Sequence, residues 1–377
     1  MSTVSDINTE QLNKMDWEDI LDTLEAQKCI LFLGSVAFQL GENDLDQAIQ
    51  QWLGLPDPEH PHVKLYNDDG FMLLRKNRYK RKVIASLHNF YSQAFPETEL
   101  AFSQLARLPF NVIVTLPPDN LLARTFDNLG LEYLQDSYFK HRQAPATFTA
   151  PTAGKPLIYN LLGNIEEPES LVLTHQDFFA YMESMFTSNG MHEDLKLTLE
   201  NAERYIFLGL PYERWYFQLL LRMLSMQDLK EVERLALQEF ENPRLHELYT
   251  EEFKIDFVPP DFGAFLNRLF HECESSELLK DLPKPEHIVD EGLNSEQLQE
   301  LVAQGKTEQA MQQLKLRLQA SQPRSKELLT SLIVLRNRYK LLQQREMRGT
   351  IDSRDLSVEN AQIVEELVGL IHQSAEL

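Results

Sequence analysis

A glycine directly after an apolar strand lets backbone approach a diphosphate, and the helix N-terminus behind it offers N–H donors to the same group. Gly34 is placed this way, at the end of the apolar run Cys29–Leu33 and just before Ser35. Taken alone, one glycine there is more often the plain end of a strand. Three later segments add to it. Thr115 closes the run from Phe110, and Pro117 and Pro118 stop it, since neither has an N–H to give a sheet. Asp119 is then set to cap a helix. Leu161, Leu162 and Gly163 follow the run from Leu157, and Gly209 ends Tyr205–Leu208, with Pro211 and Glu213 close behind. Tyr212 and Trp215 could stack on a purine, although aromatics at that spacing before an apolar helix more often fill a core. His175 is a nearby imidazole that could act as a base; capping the Thr174–Phe178 turn is its simpler role.

Other chemistries are excluded by pattern. No serine lies in a G-x-S-x-G context, and neither H-E-x-x-H nor a phosphate-binding P-loop occurs. The two cysteines, Cys29 and Cys273, form no C-x-x-C pair, so neither a disulfide framework nor a cysteine zinc module is expected. No metal is expected. With a polar, acidic start that is unlike a secretory signal, and no run near the roughly 20 apolar residues a membrane helix needs, a cytoplasmic protein is expected.

The elements that must position these residues alternate. Apolar runs at Cys29–Leu33, Phe110–Thr115, Leu157–Leu161, Leu171–Leu173 and Tyr205–Leu208 predict strands, the last being the final one, with a further one at Leu131–Tyr133. Helical spacing predicts helices from Asp16, over Leu45–Leu53, Phe71–Phe95, Glu97–Leu108, after Asp119, from Thr174, and over Trp215–Met226. Strands alternating with helices imply a doubly wound parallel α/β sheet over residues 1–284. Residues 285–293 read as a linker. Residues 294–377 then predict four amphipathic helices, a small all-α bundle.

Charge is uneven. The chain carries a net charge of −22, and residues 1–290, with 25 basic and 46 acidic residues, account for −21 of it. Such a surface disfavours nucleic acid, whose binding rests on phosphate contacts. Arg75, Lys76, Arg78, Lys80, Arg81 and Lys82, with Tyr79 among them, run against the trend. A solvated helix face paired with neighbouring carboxylates is the simpler reading; an anion or partner site is the other.

The segments Cys29–Phe38, Asn111–Leu122, Lys155–Phe178 and Arg204–Leu221, in that order, resemble the sirtuin-like family, and the resemblance extends over about residues 15–275. It implies an NAD or ADP-ribose site at the carboxyl ends of a parallel sheet, with Gly34, Ser35, Thr115, Asp119, Gly163, Gly209 and Glu213 as the cofactor-binding candidates. It also implies a defect. Pro117 stands where the family has its catalytic Asn, and Leu162 where it has its catalytic His. A leucine cannot move a proton, and general acid–base groups typically contribute about 10²- to 10⁴-fold. No catalytic residue is therefore assigned.

The last helices resemble an effector-associated, death-domain-like adaptor of bacterial conflict systems, through Arg338, Tyr339, Leu342, Arg348, Gly349, Thr350 and Ile351. That implies pairing with a matching domain on another protein, with Arg336, Arg338 and Arg348 as contacts. Together the resemblances imply an antiphage-defence or signalling protein whose degenerate sirtuin-like module binds nucleotide or supports assembly, homo-oligomers included. The alternatives are an NAD-cleaving effector using an unconventional acid such as Asp119 or Glu213, and a sensor that binds NAD or ADP-ribose without cleaving it.

Overall fold

The computed structural model describes residues 12, 14–40, 43–55, 57, 62–66, 69–76, 78–93, 95–138, 149–186, 191–224, 232–283, 294–320, 325–347 and 352–375. The expected linker, and the segment from Arg348 to Ile351, lie outside them. The chain divides into two compact units, one within residues 1–283 and one within residues 284–377.

The first unit opens with α1 (Trp17–Glu25), β1 (Cys29–Leu33), the short strands β2 (Gln39–Leu40) and β3 (Asn43–Asp44), α2 (Leu45–Trp52), and the hairpin strands β4 (Val63–Leu65) and β5 (Met72–Leu74). It continues through α3 (Arg78–Tyr91), α4 (Pro96–Arg107), β6 (Val112–Thr115), α5 (Leu121–Leu129), β7 (Leu134–Ser137), β8 (Leu157–Asn160), α6 (His175–Phe186) and α7 (Glu193–Glu200). β9 (Arg204–Leu208), α8 (Trp215–Met223), β10 (Glu233–Leu237), α9 (Pro243–Glu252), β11 (Asp256–Val258) and α10 (Phe262–Ser275) complete it.

Seven strands form one parallel sheet in the order β11-β10-β9-β1-β6-β8-β7. Its two faces are both buried, as a parallel sheet flanked by helices requires. Along β1, Cys29, Leu31 and Leu33 join one apolar core, with Trp17, Phe102 and Phe265 from α1, α4 and α10. Ile30 and Phe32 join the other, with Phe178, Leu195, Phe217 and Tyr249 from α6 to α9. The chain winds outward from β1 to one side first and from β9 to the other later. The switch point between β1 and β9 opens a crevice at the strands' carboxyl ends, where α/β sheets bind ligands.

Several expectations need correction. β9 is followed by β10 and β11, so it is not the last strand. Leu171–Leu173 is buried but forms no strand; Val172 N–H donates to the Leu162 carbonyl at 3.1 Å instead. The edge strand β7 lies just after Leu131–Tyr133, and Met72–Leu74 is a strand ahead of α3.

The second unit contains α11 (Ser295–Ala303), α12 (Thr307–Ala320), α13 (Lys326–Met347) and α14 (Ser353–Ser374). Asn294 caps α11 in a reciprocal box with Gln297, and Asp352 caps α14. Leu298, Met311, Leu314, Leu332, Leu335, Ile363, Leu367 and Ile371 form its core. Arg338 on α13 donates from Nη1 to both carboxylate oxygens of Glu366 on α14, at 2.8 Å. Arg336 is half-buried. Arg338 stays exposed while making this pair, and Arg348 lies outside the described residues.

Candidate functional site

At the switch point, the loop after β1 turns back across β9. Gly34 N–H donates to the Leu208 carbonyl at 2.8 Å and Val36 N–H to the Gly209 carbonyl at 3.3 Å. A Cβ on Gly34 would overlap the Gly209 carbonyl, and one on Gly209 would overlap the Ala37 backbone. Gly209 also has φ +65°, a left-handed conformation that glycine adopts without strain. The two glycines thus serve a backbone-to-backbone crossing. The crossing separates two cavities at the strand ends.

The first cavity, of about 140 Å³, lies on the β6 and β8 side. Gly34 and Ser35 line it, and so do Pro117 and Leu162. Thr115, Asp119, Gly163, Gly209 and Glu213 do not line it, so the structure brings only two of the seven candidates to this cavity. Glu213 is exposed, and a Cβ on Gly163 would overlap the Ser170 carbonyl. Tyr212 is buried among Phe217, Tyr249 and Phe257, whereas Trp215 is 43% exposed.

The loop carrying Pro117 is held from below. Asn160, opposite Thr115 in the β6–β8 register and 1% exposed, donates from Nδ2 to Thr115 Oγ1 (2.9 Å), the Asp119 carbonyl (3.0 Å) and the Pro117 carbonyl (3.3 Å). Its Oδ1 accepts from Asn164 Nδ2 at 3.1 Å. Asp119 Oδ1 accepts from Leu121 N–H at 2.8 Å, so its carboxylate caps the start of α5. Burial lifts its pKa to about 6, against the Leu121 hydrogen bond and the Arg124 charge.

The cavity's charged groups, Asp46, Asp69 and Arg214, are not among the seven candidates. Arg214 Nη2 pairs with Asp46 Oδ2 at 2.6 Å, and its Nη1 reaches Tyr216 at 3.3 Å. Burial opposes the Arg214 charge, but Tyr216 and Asp46 outweigh it and hold its pKa above the ordinary value. Asp69 accepts from Phe71 N–H at 3.0 Å and Trp215 Nε1 at 3.2 Å, and lies 2.7 Å from His175 Nε2. Burial opposes its charge too, yet those three bonds keep the carboxyl below its usual value. His175 therefore does not cap its helix; Thr174 and Asp177 do so reciprocally. Asp69 follows a turn-like Asn-Asp pair and Arg214 directly follows Glu213, so a charged residue beside a glycine or a strand end was the available signal.

The basic segment is mostly unpaired. Lys80 binds Asp177, while Arg75, Lys76, Arg78, Arg81 and Lys82 are exposed and form no ion pair among the described residues. Among the described residues, the expected pairing with carboxylates holds for Lys80 alone.

Residues 111–258 match the model of the SIR2-like domain, and residues 294–374 match that of Effector-associated domain 11. The chain carries a SIR2-like domain followed by an effector-associated domain. No curated protein compared with the chain matches it. The pairing points to a bacterial conflict or defence system, and the effector-associated domain to protein–protein interaction. SIR2-like domains generally bind NAD.

The residues present here do not fit an NAD dinucleotide in this arrangement. The N–H groups of Gly34 and Val36 bond the chain's own carbonyls. Asp46 and Asp69 line the cavity, and its one guanidinium is paired with Asp46. Among the described residues, no buried side-chain nitrogen or oxygen lining it lacks a hydrogen-bond partner. The SIR2-like unit also offers no His/Cys/Asp/Glu group able to hold a metal ion among the described residues. No described helix is long and apolar enough to cross a membrane.

Proposed function

We propose that this is an antiphage-defence or signalling protein in which the SIR2-like unit works as an assembly module without turning over NAD, and the effector-associated unit recruits a partner with a matching domain. The observation that carries the first half is the position of Pro117 and Leu162, which line the crevice where the family's Asn and His would act. Neither side chain can orient a nucleophile or move a proton. The second half rests on the match to Effector-associated domain 11 and on exposed apolar side chains of that unit, Val334 at 56% and Val358 at 52%.

One observation favours a second reading, the NAD-cleaving effector. Asp119, with its pKa near 6, could exchange a proton close to neutral pH. A single experiment separates the two. The full chain is incubated at near-stoichiometric amounts with NAD, and products are followed by chromatography. Intact NAD is expected. Free nicotinamide that disappears in Asp119→Ala would overturn the first reading and establish the second. Recruitment is tested by capture against a panel of proteins bearing effector-associated domains. Val334→Asp with Val358→Asp should abolish capture; unchanged capture would refute a contact role for these two side chains.

A further inference from the structure

The second cavity, on the far side of the Gly34–Gly209 crossing, has a volume of about 730 Å³. That lies within the roughly 300–1,000 Å³ of sites that enclose a small ligand. It sits at the carboxyl ends of β1, β9, β10 and β11, between α4 and α10. Its walls are mostly apolar: Val36, Phe38, Ala101, Leu105, Phe262 and Leu266. Phe38 is held from behind by Phe102, stacked at 4.3 Å and 19°, which makes that wall flat and rigid.

Its charged groups are of one sign. Glu97, Glu239 and Asp261 line it, and no Lys or Arg does. Asp261 Oδ1 caps α10 by accepting from Ala264 N–H at 2.9 Å. Glu97 and Glu239 have no ion-pair partner among the described residues. A phosphate placed here would face three carboxylates and no cation, and like charges so placed exclude it. A flat apolar body gains from the walls, and a cation on it gains from the carboxylates.

We propose that this cavity binds a small ligand with a flat apolar body and one cationic group, and that it rejects phosphorylated nucleotides. Titration calorimetry on the full chain tests this with three probes: tryptamine, indole-3-propionate (the same ring bearing a carboxylate) and AMP. Tryptamine should bind at least about tenfold more tightly than indole-3-propionate, with no heat from AMP, because charge sign then decides binding. Ala101→Trp, which fills the cavity, should abolish tryptamine binding. Glu97→Gln with Glu239→Gln should weaken it about fivefold or more at an unchanged melting temperature, and this pair decides the matter if the Trp variant fails to fold. Asp69→Asn, in the other cavity, should leave it unchanged. No tryptamine binding at about 1 mM, equal binding of either anion, or a loss caused by Asp69→Asn rather than by the cavity variants would overturn the proposal.

Discussion

Replacing Asn160 by Leu tests whether the Pro117 loop is held from the strand below it. Asn160 Nδ2 carries two hydrogens and faces three acceptors at 2.9, 3.0 and 3.3 Å, so one hydrogen serves one acceptor and the other is shared between two, the equivalent of two full bonds. A third full bond is the one its Oδ1 accepts from Asn164, at 3.1 Å. At about 1 kcal/mol net per bond the direct loss is about 3 kcal/mol. Leucine has the same branched shape and is somewhat bulkier, so water cannot simply replace the amide at a site only 1% exposed. The carbonyls of Pro117 and Asp119 and the Asn164 amide then lose a partner, which brings the expected loss to about 3–5 kcal/mol. Urea unfolding followed by tryptophan fluorescence measures it selectively, because Trp17, Trp52 and Trp215 all belong to the first unit. Asn164→Ala removes its bond to Asn160 and the one its Oδ1 accepts from the Glu166 N–H at 2.9 Å, leaves the three contacts of Asn160 Nδ2 in place, and should cost less. A loss below about 1 kcal/mol for Asn160→Leu would refute the claim that this amide sets the loop.

Two further perturbations follow from the same unit. Gly34 has φ −109° and ψ 173°, a conformation alanine adopts freely, so Gly34→Ala isolates the contact with Gly209. Overlap with backbone should destabilise the unit by about 2–3 kcal/mol in the same urea assay; an unchanged midpoint would show that the crossing does not need glycine. Lys280 is buried, with Nζ donating to the Leu108 carbonyl, and burial lowers its pKa to about 7. Between pH 7 and about 10.5 the unfolded chain holds a proton the folded chain has lost, so this group makes stability rise with pH across that window. Lys280→Met should be more stable than the parent by about 2 kcal/mol near pH 6, and the advantage should vanish or reverse by pH 10, where the neutral amine keeps its bond to Leu108. A pH-independent difference would argue against a buried, neutralised lysine.

Much of the sheet was legible because its central strands are continuous apolar runs buried on both faces. β1, β6, β8 and β9 all have this form, and each ends at or close to a Gly or Pro. The strands that escaped lie toward the edges. β7 (Leu-Gln-Asp-Ser) is too polar for an apolar run, β11 is three residues long, and β10 opens with Glu233 and Arg234. Leu171–Leu173 misled in the opposite sense: its side chains fill both cores, which makes it apolar without making it pair. The cavity was less legible for a different reason. Its charged lining comes from α2, the β4–β5 hairpin and Arg214, far apart in sequence, and only the fold brings Asp46 to Arg214 or Asp69 to His175. Asn160 lies within a segment that was read, but its role depends on facing Thr115 across two strands, which periodicity does not reveal.

The residues at the crevice are mutually consistent in a way that single-site comparison misses. Leu162 and Pro117 are apolar, and an open, water-filled nucleotide site would leave them exposed at a cost. Here Leu162 packs against the core containing Tyr181 and Phe178, and Pro117 lies over the Asn160 amide. The Asp46–Arg214 and Asp69–His175 pairs draw α2 and the hairpin segment onto the same ends, and the Gly34–Gly209 crossing uses the Gly34 and Val36 N–H groups. On the proposed reading, a histidine introduced at position 162 would lack an Asn partner and would lie beside a loop whose Gly34 and Val36 N–H groups are already bonded. These features agree with one another, and together they support the scaffold reading proposed above.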